Sequence, residues 1–515
     1  MQSIADPLAV QPAPDRSAYR LGLLALRDGD LFTAVALLRR AVGANPHDAG
    51  IRRNLVRALL AGGQFVEVLA EASRALVLAP DNGELYYALG TALNGVGRPA
   101  RACAAFNRAI AINPDHAPTW LNFGNAATDM DDLESAEALY RTALRVDPEL
   151  PEAHASLGYL LTRLGRLEEA TRSCETAIRL RPEFARAHMN LATALLLGGD
   201  LNRGFAEYEW RKRDERYRRD FPPPDGPVWD GSDPHGRTIL IRAEQGLGDA
   251  IQCARYLRLI RDAGGTPVLV CAAALVPLIA SMDGVLAVAA GDPLPPYDAR
   301  ADLMSLPAAF GTTMDSIPLA EGYLSADPAR IGAWNARLPP GRKAGLIFAG
   351  NPAHPDDRRR SIPPELADAL PAIPGLNFVN LQHGQAAGTL ALPDLTAWMT
   401  DYAETAALVA NLDVVVTVDT SIAHLAGALG TPALVLLPFA PDWRWMLGRN
   451  DSPWYRSLRL FRQSRAGDWS SVMAEVMGLL ASGGYAASIS ATRPSAAIPP
   501  KNVPSARSSC RQTIP

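Results

Sequence analysis

The stretch Val414–Pro438, VVVTVDTSIAHLAGALGTPALVLLP, decides the fold of the second half of this chain. Val414–Val416 and Val418 form an apolar run that reads as a strand buried on both faces, as in a parallel sheet. Asp419, Thr420 and Ser421 end it. All three are good helix N-caps, and Ile422, Leu425 and Leu429 recur behind them at helical spacing. Gly430 and Pro432 stop that helix, and Ala433–Leu437 supplies a second strand, closing a strand–helix–strand unit of the doubly wound type. Ligands in such sheets bind at the carboxyl ends of the strands. The amides of the Thr420/Ser421 turn therefore face a cleft, where the helix dipole favours a phosphate, and His424 lies over the same face. The same residues equally describe a capped core helix with a satisfied histidine.

Outward from this unit, alternating strands and helices extend from Lys343 to residue 482, with strands expected at Leu346–Ala349, Phe378–Leu381 and Leu458–Phe461. A smaller α/β domain precedes it, at 238–335, with strands expected at Ile239–Ile241, Val268–Val270 and Val285–Ala289. It opens with TILIRAEQGLGDAIQ. A dinucleotide fingerprint would need a third glycine where Ile251 stands, so the loop offers instead a carboxylate, Asp249, beside flexible backbone at a strand's end. That carboxylate is either a helix cap or a general base.

Further upstream, prolines at 46, 80, 114, 148 and 182 stand 34 residues apart. Small residues (Ala34, Val68, Ala102, Ala136 and Ala170, then Ala41, Ala75, Ala109, Ala143 and Ala177) repeat at the same period, where two antiparallel helices approach. Leu21, Leu55, Leu89, Phe123, Leu157 and Leu191 are expected to fill the core between them. This pattern resembles the tetratricopeptide repeat, which implies an α-solenoid of about six units over 15–213, with a concave groove. Asn54, Asn122 and Asn190 share the sixth position of their units, where the protein O-GlcNAc transferases carry an asparagine ladder; that likeness implies amides gripping an extended peptide. Arg20, Ala88 and Ser156 interrupt the ladder. The basic run Arg211–Arg219, RKRDERYRR, reads as the solvated end of the last helix, and the proline-rich 214–237 as a linker. Residues 483–515, rich in Ala, Ser and Pro, read as a disordered tail.

GLGDAIQ, VDTSIAHLAGALG and the PDWRW segment Pro441–Trp445 together resemble glycosyltransferase family nine, the heptosyltransferase-like enzymes of GT-B fold with two Rossmann-like domains, over 238–482. The resemblance implies an inverting transfer of a hexosyl or heptosyl group from a nucleotide diphosphate sugar to an acceptor, with Asp249 as general base. It also implies donor contacts from Asp419, Thr420, Ser421 and His424. Arg358, Arg359 and Arg360, in the loop GNPAHPDDRRRSIP, stand near the same cleft, and a phosphate clamp is expected among them, with Arg358 and Arg360 the candidates. Trp443 and Trp445 either stack on a base or sugar or pack as core. Asp-x-Asp pairs occur only at Asp28/Asp30 and Asp129/Asp131, inside the repeats, where they read as turns; no metal and no other cofactor is expected.

Composition narrows the partners. A net charge of −4 gives no general reason to bind nucleic acid. Five scattered cysteines without metal spacing fit a reducing, cytoplasmic setting, and the N-terminus lacks a secretory pattern. No window reads as a membrane span. The expected partners are a nucleotide sugar and a protein or peptide held by the repeats. Two competing readings are a repeat scaffold with a degenerate transferase-like domain and a sugar-nucleotide epimerase.

Overall fold

The structure is a computed structural model and describes residues 16–318, 322–354, 356–383, 388 and 390–485. The tail expected from residue 483 falls almost wholly outside them. Its first residues end in Tyr485, which is buried and whose hydroxyl accepts from Arg342 at 2.7 Å.

Among the described residues, six helical hairpins occupy the first two-fifths of the chain, from Arg16–Arg27 paired with Leu31–Ala44 to Ala185–Leu197 paired with Leu201–Tyr208. The small residues at the two periodic positions are buried throughout, which lets the paired helices close. At Gly124 the approach is so tight that a β-carbon would sit 2.5 Å from the ring of Tyr140. Of the residues expected to fill the core, Leu21 does not: it is 53% exposed, because among the described residues no hairpin precedes its own. Each hairpin turn needs a left-handed residue. Gly29, Gly63, Gly97, Gly165 and Gly199 supply it, and in the fourth hairpin Asp131 takes the same conformation, at φ 61°.

Two parallel sheets follow. The first contains β1 (Thr238–Arg242), β2 (Thr266–Cys271), β3 (Leu286–Ala289) and β4 (Ala299–Asp302), in the order β3-β2-β1-β4. The second contains β5 (Lys343–Ile347), β6 (Asn377–Asn380), β7 (Val414–Val418), β8 (Ala433–Leu437) and β9 (Leu458–Arg462), in the order β6-β5-β7-β8-β9. All pairings between these strands are parallel, and β7 and β8 are buried along their whole length. The chain order reverses direction between β1 and β4 in one sheet and between β5 and β7 in the other. Doubly wound sheets leave a crevice outside the strand ends at such points. The architecture is thus an α-solenoid followed by two Rossmann-like halves, as in the GT-B type.

The segment expected to be a linker is instead a strap on the first sheet. Trp229 is buried and its backbone N–H donates to the Arg300 carbonyl in β4 at 2.8 Å, while Arg242 in β1 donates to the carbonyls of Phe221 and Pro222, both at 2.6 Å. Nor is the basic run simply solvated. Arg211 is buried and donates to Glu244 at 2.7 Å and to Ser305 at 2.7 Å, and Glu244 is itself 1% exposed. A buried carboxylate must be paired to stay charged, so this arginine is held inward by the loop after β1. Leu196, Leu201, Phe205 and Tyr208 of the last hairpin share one continuous core with both sheets. The last three turn tips also touch the α/β halves. Leu447 lies beside Gly165, Met314 beside Gly199, and arginines of the loop after β5 on Asp131, whereas the space around Gly29, Gly63 and Gly97 is open.

Candidate functional site

The crevices of the two sheets open onto one cleft of about 1130 Å³. The loop after β1 enters it with Gly246, Gly248 and Asp249. The loops after β5 and β7 enter from the other side with Gly350, Arg360, Asp419, Thr420, Ser421 and His424. Met189, Thr193 and Tyr208 of the last hairpin form a third wall. An adjoining hollow of about 210 Å³ shares Arg360, Asp419 and Trp443 with it and is lined from the solenoid by Tyr159, Arg163 and Asn190.

Asp249 stands in the first turn of the helix Leu247–Cys253, three residues after Gly246, which caps it. Its Oδ2 accepts from the Gly246 N–H at 2.7 Å, and its other oxygen accepts from Arg444. Arg444 comes from the opposite half, within PDWRW. It is buried, donates to Gln252 at 2.6 Å and to Asp442 at 2.8 Å, and lies 4.2 Å over the Trp443 ring. Sequence reasoning missed it. The signal was its place inside PDWRW, one residue after Trp443 and two after Asp442.

On the facing side, Thr420 caps the helix Ser421–Leu429 in extended backbone, with its hydroxyl 3.1 Å from that of Thr417. The Ser421 hydroxyl is 2.6 Å from that of Tyr402. His424 is buried, its Nδ1 3.0 Å from the Tyr455 hydroxyl and its ring stacked on Trp445 at 5.3 Å. Burial first, and then the nearby Arg444 and Arg255, hold its imidazole well below the ordinary range, so it is neutral at pH 7. Gly248 lets the two helix starts meet: a β-carbon there would lie 2.8 Å from the His424 ring and 3.4 Å from Ser421 Cα. Asp419 keeps some contact with the cleft, yet surrounding protein withdraws it from bulk water. That withdrawal, with Asp442 close by, pushes its carboxyl up to about 7, against the pull of Trp445, Arg360 and Arg444.

Of the three consecutive arginines only Arg360 lines this cleft, bonded to Asp357 at 3.2 Å over Gly350. Arg358 is not brought to it: the side chain reaches outward to Asp131 of the solenoid at 3.2 Å. The two tryptophans differ: Trp445 packs in the core, whereas Trp443 both packs and lines the cleft. Trp445 is fully buried, and Trp443 is wedged edge-on against Phe205 of the last hairpin at 5.5 Å.

The asparagine ladder faces the neighbouring repeat. Asn54 donates to the Tyr19 hydroxyl at 2.8 Å, Asn122 to the Tyr87 hydroxyl at 3.2 Å and Asn190 to the Ala155 carbonyl at 2.9 Å. Each partner lies 35 residues back, so these amide donors tie successive units together. Asn190 alone of the three also borders the hollow beside the cleft.

Comparison with known proteins finds likenesses in both parts of the chain. Residues 25–93, 94–160 and 151–184 match models of the tetratricopeptide repeat, and residues 396–447 match that of glycosyltransferase family 9 (heptosyltransferase). The latter stretch runs from before helix Tyr402–Val409 through β7 and β8 to PDWRW. Protein FlbA of Caulobacter vibrioides is 30% identical over 321 residues, which cover 55% of this chain and 53% of FlbA. The chain thus spans about half the length of that curated relative. Similar solved structures include a thermophilic TPR protein of Thermus thermophilus, at 26% identity over 35% of this chain and 98% of that one, with a TM-score of 0.31. Another is pilF of Pseudomonas aeruginosa, at 18% identity over 41% and 92%, with a TM-score of 0.34. The chain joins tetratricopeptide repeats to a two-sheet α/β module, within whose second half residues 396–447 match glycosyltransferase family 9.

Proposed function

We propose that this protein transfers a sugar from a nucleotide diphosphate sugar to a hydroxyl of a protein or peptide acceptor, by inverting displacement and without a divalent metal. The observation that carries the reading is the convergence of both sheet crevices on one cleft, with Asp249 on one wall and the Thr420/Ser421 helix start and Arg360 on the other. An inverting displacement needs a base beside the incoming hydroxyl and positive charge at the leaving diphosphate. Asp249 is the base in this reading. The helix start and Arg360 take the diphosphate, and Ser421 and Asp419 face the sugar. The charge at the leaving diphosphate is assigned to Arg360 and the helix start in place of a cation. The solenoid supplies the third wall and borders the adjoining hollow, which makes it the natural route for a macromolecular acceptor.

One observation favours the scaffold alternative. Both oxygens of Asp249 already accept hydrogen bonds, one of them from Arg444. The test is a thermal-shift and calorimetric screen against nucleotide sugars, with and without EDTA, because a ligand of the folded state raises its stability. Stabilisation by one donor that survives EDTA supports the transferase. Binding abolished by chelation overturns metal independence, and silence across the panel favours the scaffold.

A further inference from the structure

The fourth hairpin turn breaks the rule that its five companions keep. Glycine occupies the left-handed position at 29, 63, 97, 165 and 199, and an aspartate occupies it at 131. Asp tolerates this backbone better than most side chains, but glycine adopts it without strain. A departure from a local rule marks a place where something else is gained. Here the gain is visible. The Asp131 carboxylate accepts from Arg163 of the next hairpin at 2.7 Å, from Arg359 at 2.9 Å and from Arg358 at 3.2 Å. Two of these arginines belong to the single helical turn Asp357–Arg360 in the loop after β5. The third arginine of that turn, Arg360, points the other way into the cleft.

We propose that Asp131 is a positioning residue for the diphosphate site, a strut that holds Arg358 and Arg359 on the solenoid and so sets Arg360 in the cleft. Successive residues on a helical turn diverge by about 100°, so two fixed outward leave the third a narrow range inward. Gly350 beneath the turn reinforces this, since a β-carbon there would lie 2.6 Å from the Arg360 guanidinium. The fourth hairpin is thereby coupled to the loop after β5 through one carboxylate. The inference rests on the donor assignment above and goes beyond it.

The test compares Asp131→Gly, which restores the relaxed turn of the other repeats, with Asp131→Asn, which keeps shape and left-handed tolerance but removes the charge. The probes are ADP, GDP and UDP, each titrated into the full chain, together with amide hydrogen exchange over residues 350–361. Expected are folded variants with melting temperatures near wild type, faster exchange over that loop, and about five- to tenfold weaker binding of whichever nucleotide wild type prefers. Unchanged affinity in both variants overturns the strut. Wild-type protein that binds none of the three overturns the donor reading instead, and exchange then decides the strut alone: faster exchange in both variants upholds it, unchanged exchange rejects it.

Discussion

Arg444 from the second α/β half donates to Asp249 from the first, so the two walls of the cleft are tied by an ion pair at the position assigned to the general base. Because the other oxygen of Asp249 accepts from Gly246, both faces of the carboxylate hold structure together. Asn offers one acceptor in place of two. Asp249→Asn is therefore expected to lose about 1–3 kcal/mol of stability as well as about 10²–10⁴ in transfer rate. Measuring kcat and unfolding free energy on the same variant separates the two. Wild-type turnover would remove Asp249 from the mechanism.

Gly248 tests the contact between the halves. With the His424 ring 2.8 Å from a would-be β-carbon, Gly248→Ala must push the two helix starts apart. Overpacking of this kind costs about 1–3 kcal/mol. A variant as stable as wild type in urea titration would show that the halves separate freely at this point.

The repeats divide into a free half and a docked half. Deleting residues 16–112, the first three hairpins, is expected to leave nucleotide binding unchanged, because none of those residues lines the cleft or joins the core shared with the sheets. Deleting through residue 213 removes Phe205, Tyr208 and Arg211 and strands Glu244 in the core. That truncation is expected to be insoluble or unfolded by circular dichroism. A soluble, cooperative α/β fragment would refute the shared core.

Much of this was legible in the sequence. β7 and β8 begin and end where their apolar runs do, since strands buried on both faces leave no ambiguity, and the 34-residue period exposed the solenoid. β4 was not, because Arg300 and Asp302 interrupt its hydrophobicity and their partners, Gly226 and Arg242, are distant in sequence. The ladder amides looked like peptide ligands because Tyr19 and Tyr87, one repeat back, were not read with them. Arg358, Arg359 and Arg360 form one basic run in the sequence; only the turn that carries them sends one to the cleft and two to the solenoid.

Within RKRDERYRR, burial separates one arginine from its neighbours. Arg211 pairs with a fully buried Glu244, whereas Arg213 pairs with Glu183 where both side chains are more than half exposed. Arg211→Ala leaves a charge without its partner inside the protein and is expected to cost about 3–5 kcal/mol. Arg213→Ala is expected to cost about 0–1 kcal/mol. Equal losses in chemical denaturation would mean that the run is solvated as a whole.

Asp419 gives the cleft a pH dependence whose sign is fixed. Burial, with Asp442 beside it, raises its carboxyl from the ordinary 3.8 to about 7 in the folded protein. The folded state then holds a proton that the unfolded chain releases, so stability falls as pH rises between those two values and levels off above the upper one. Asp419→Asn mimics the protonated form and removes this loss. Relative to that variant, wild type is expected to match best near pH 4 and to lose melting temperature steadily up to about pH 7 to 8. The same proton bears on the donor. A neutral Asp419 can donate a hydrogen bond to a sugar or phosphate oxygen, whereas an ionised Asp419 beside Asp442 repels a diphosphate. Melting temperatures of both proteins at half-unit pH steps decide the matter: a wild type that gains on the variant as pH rises would mean that the arginines outweigh burial, and that Asp419 is ionised when the cleft fills.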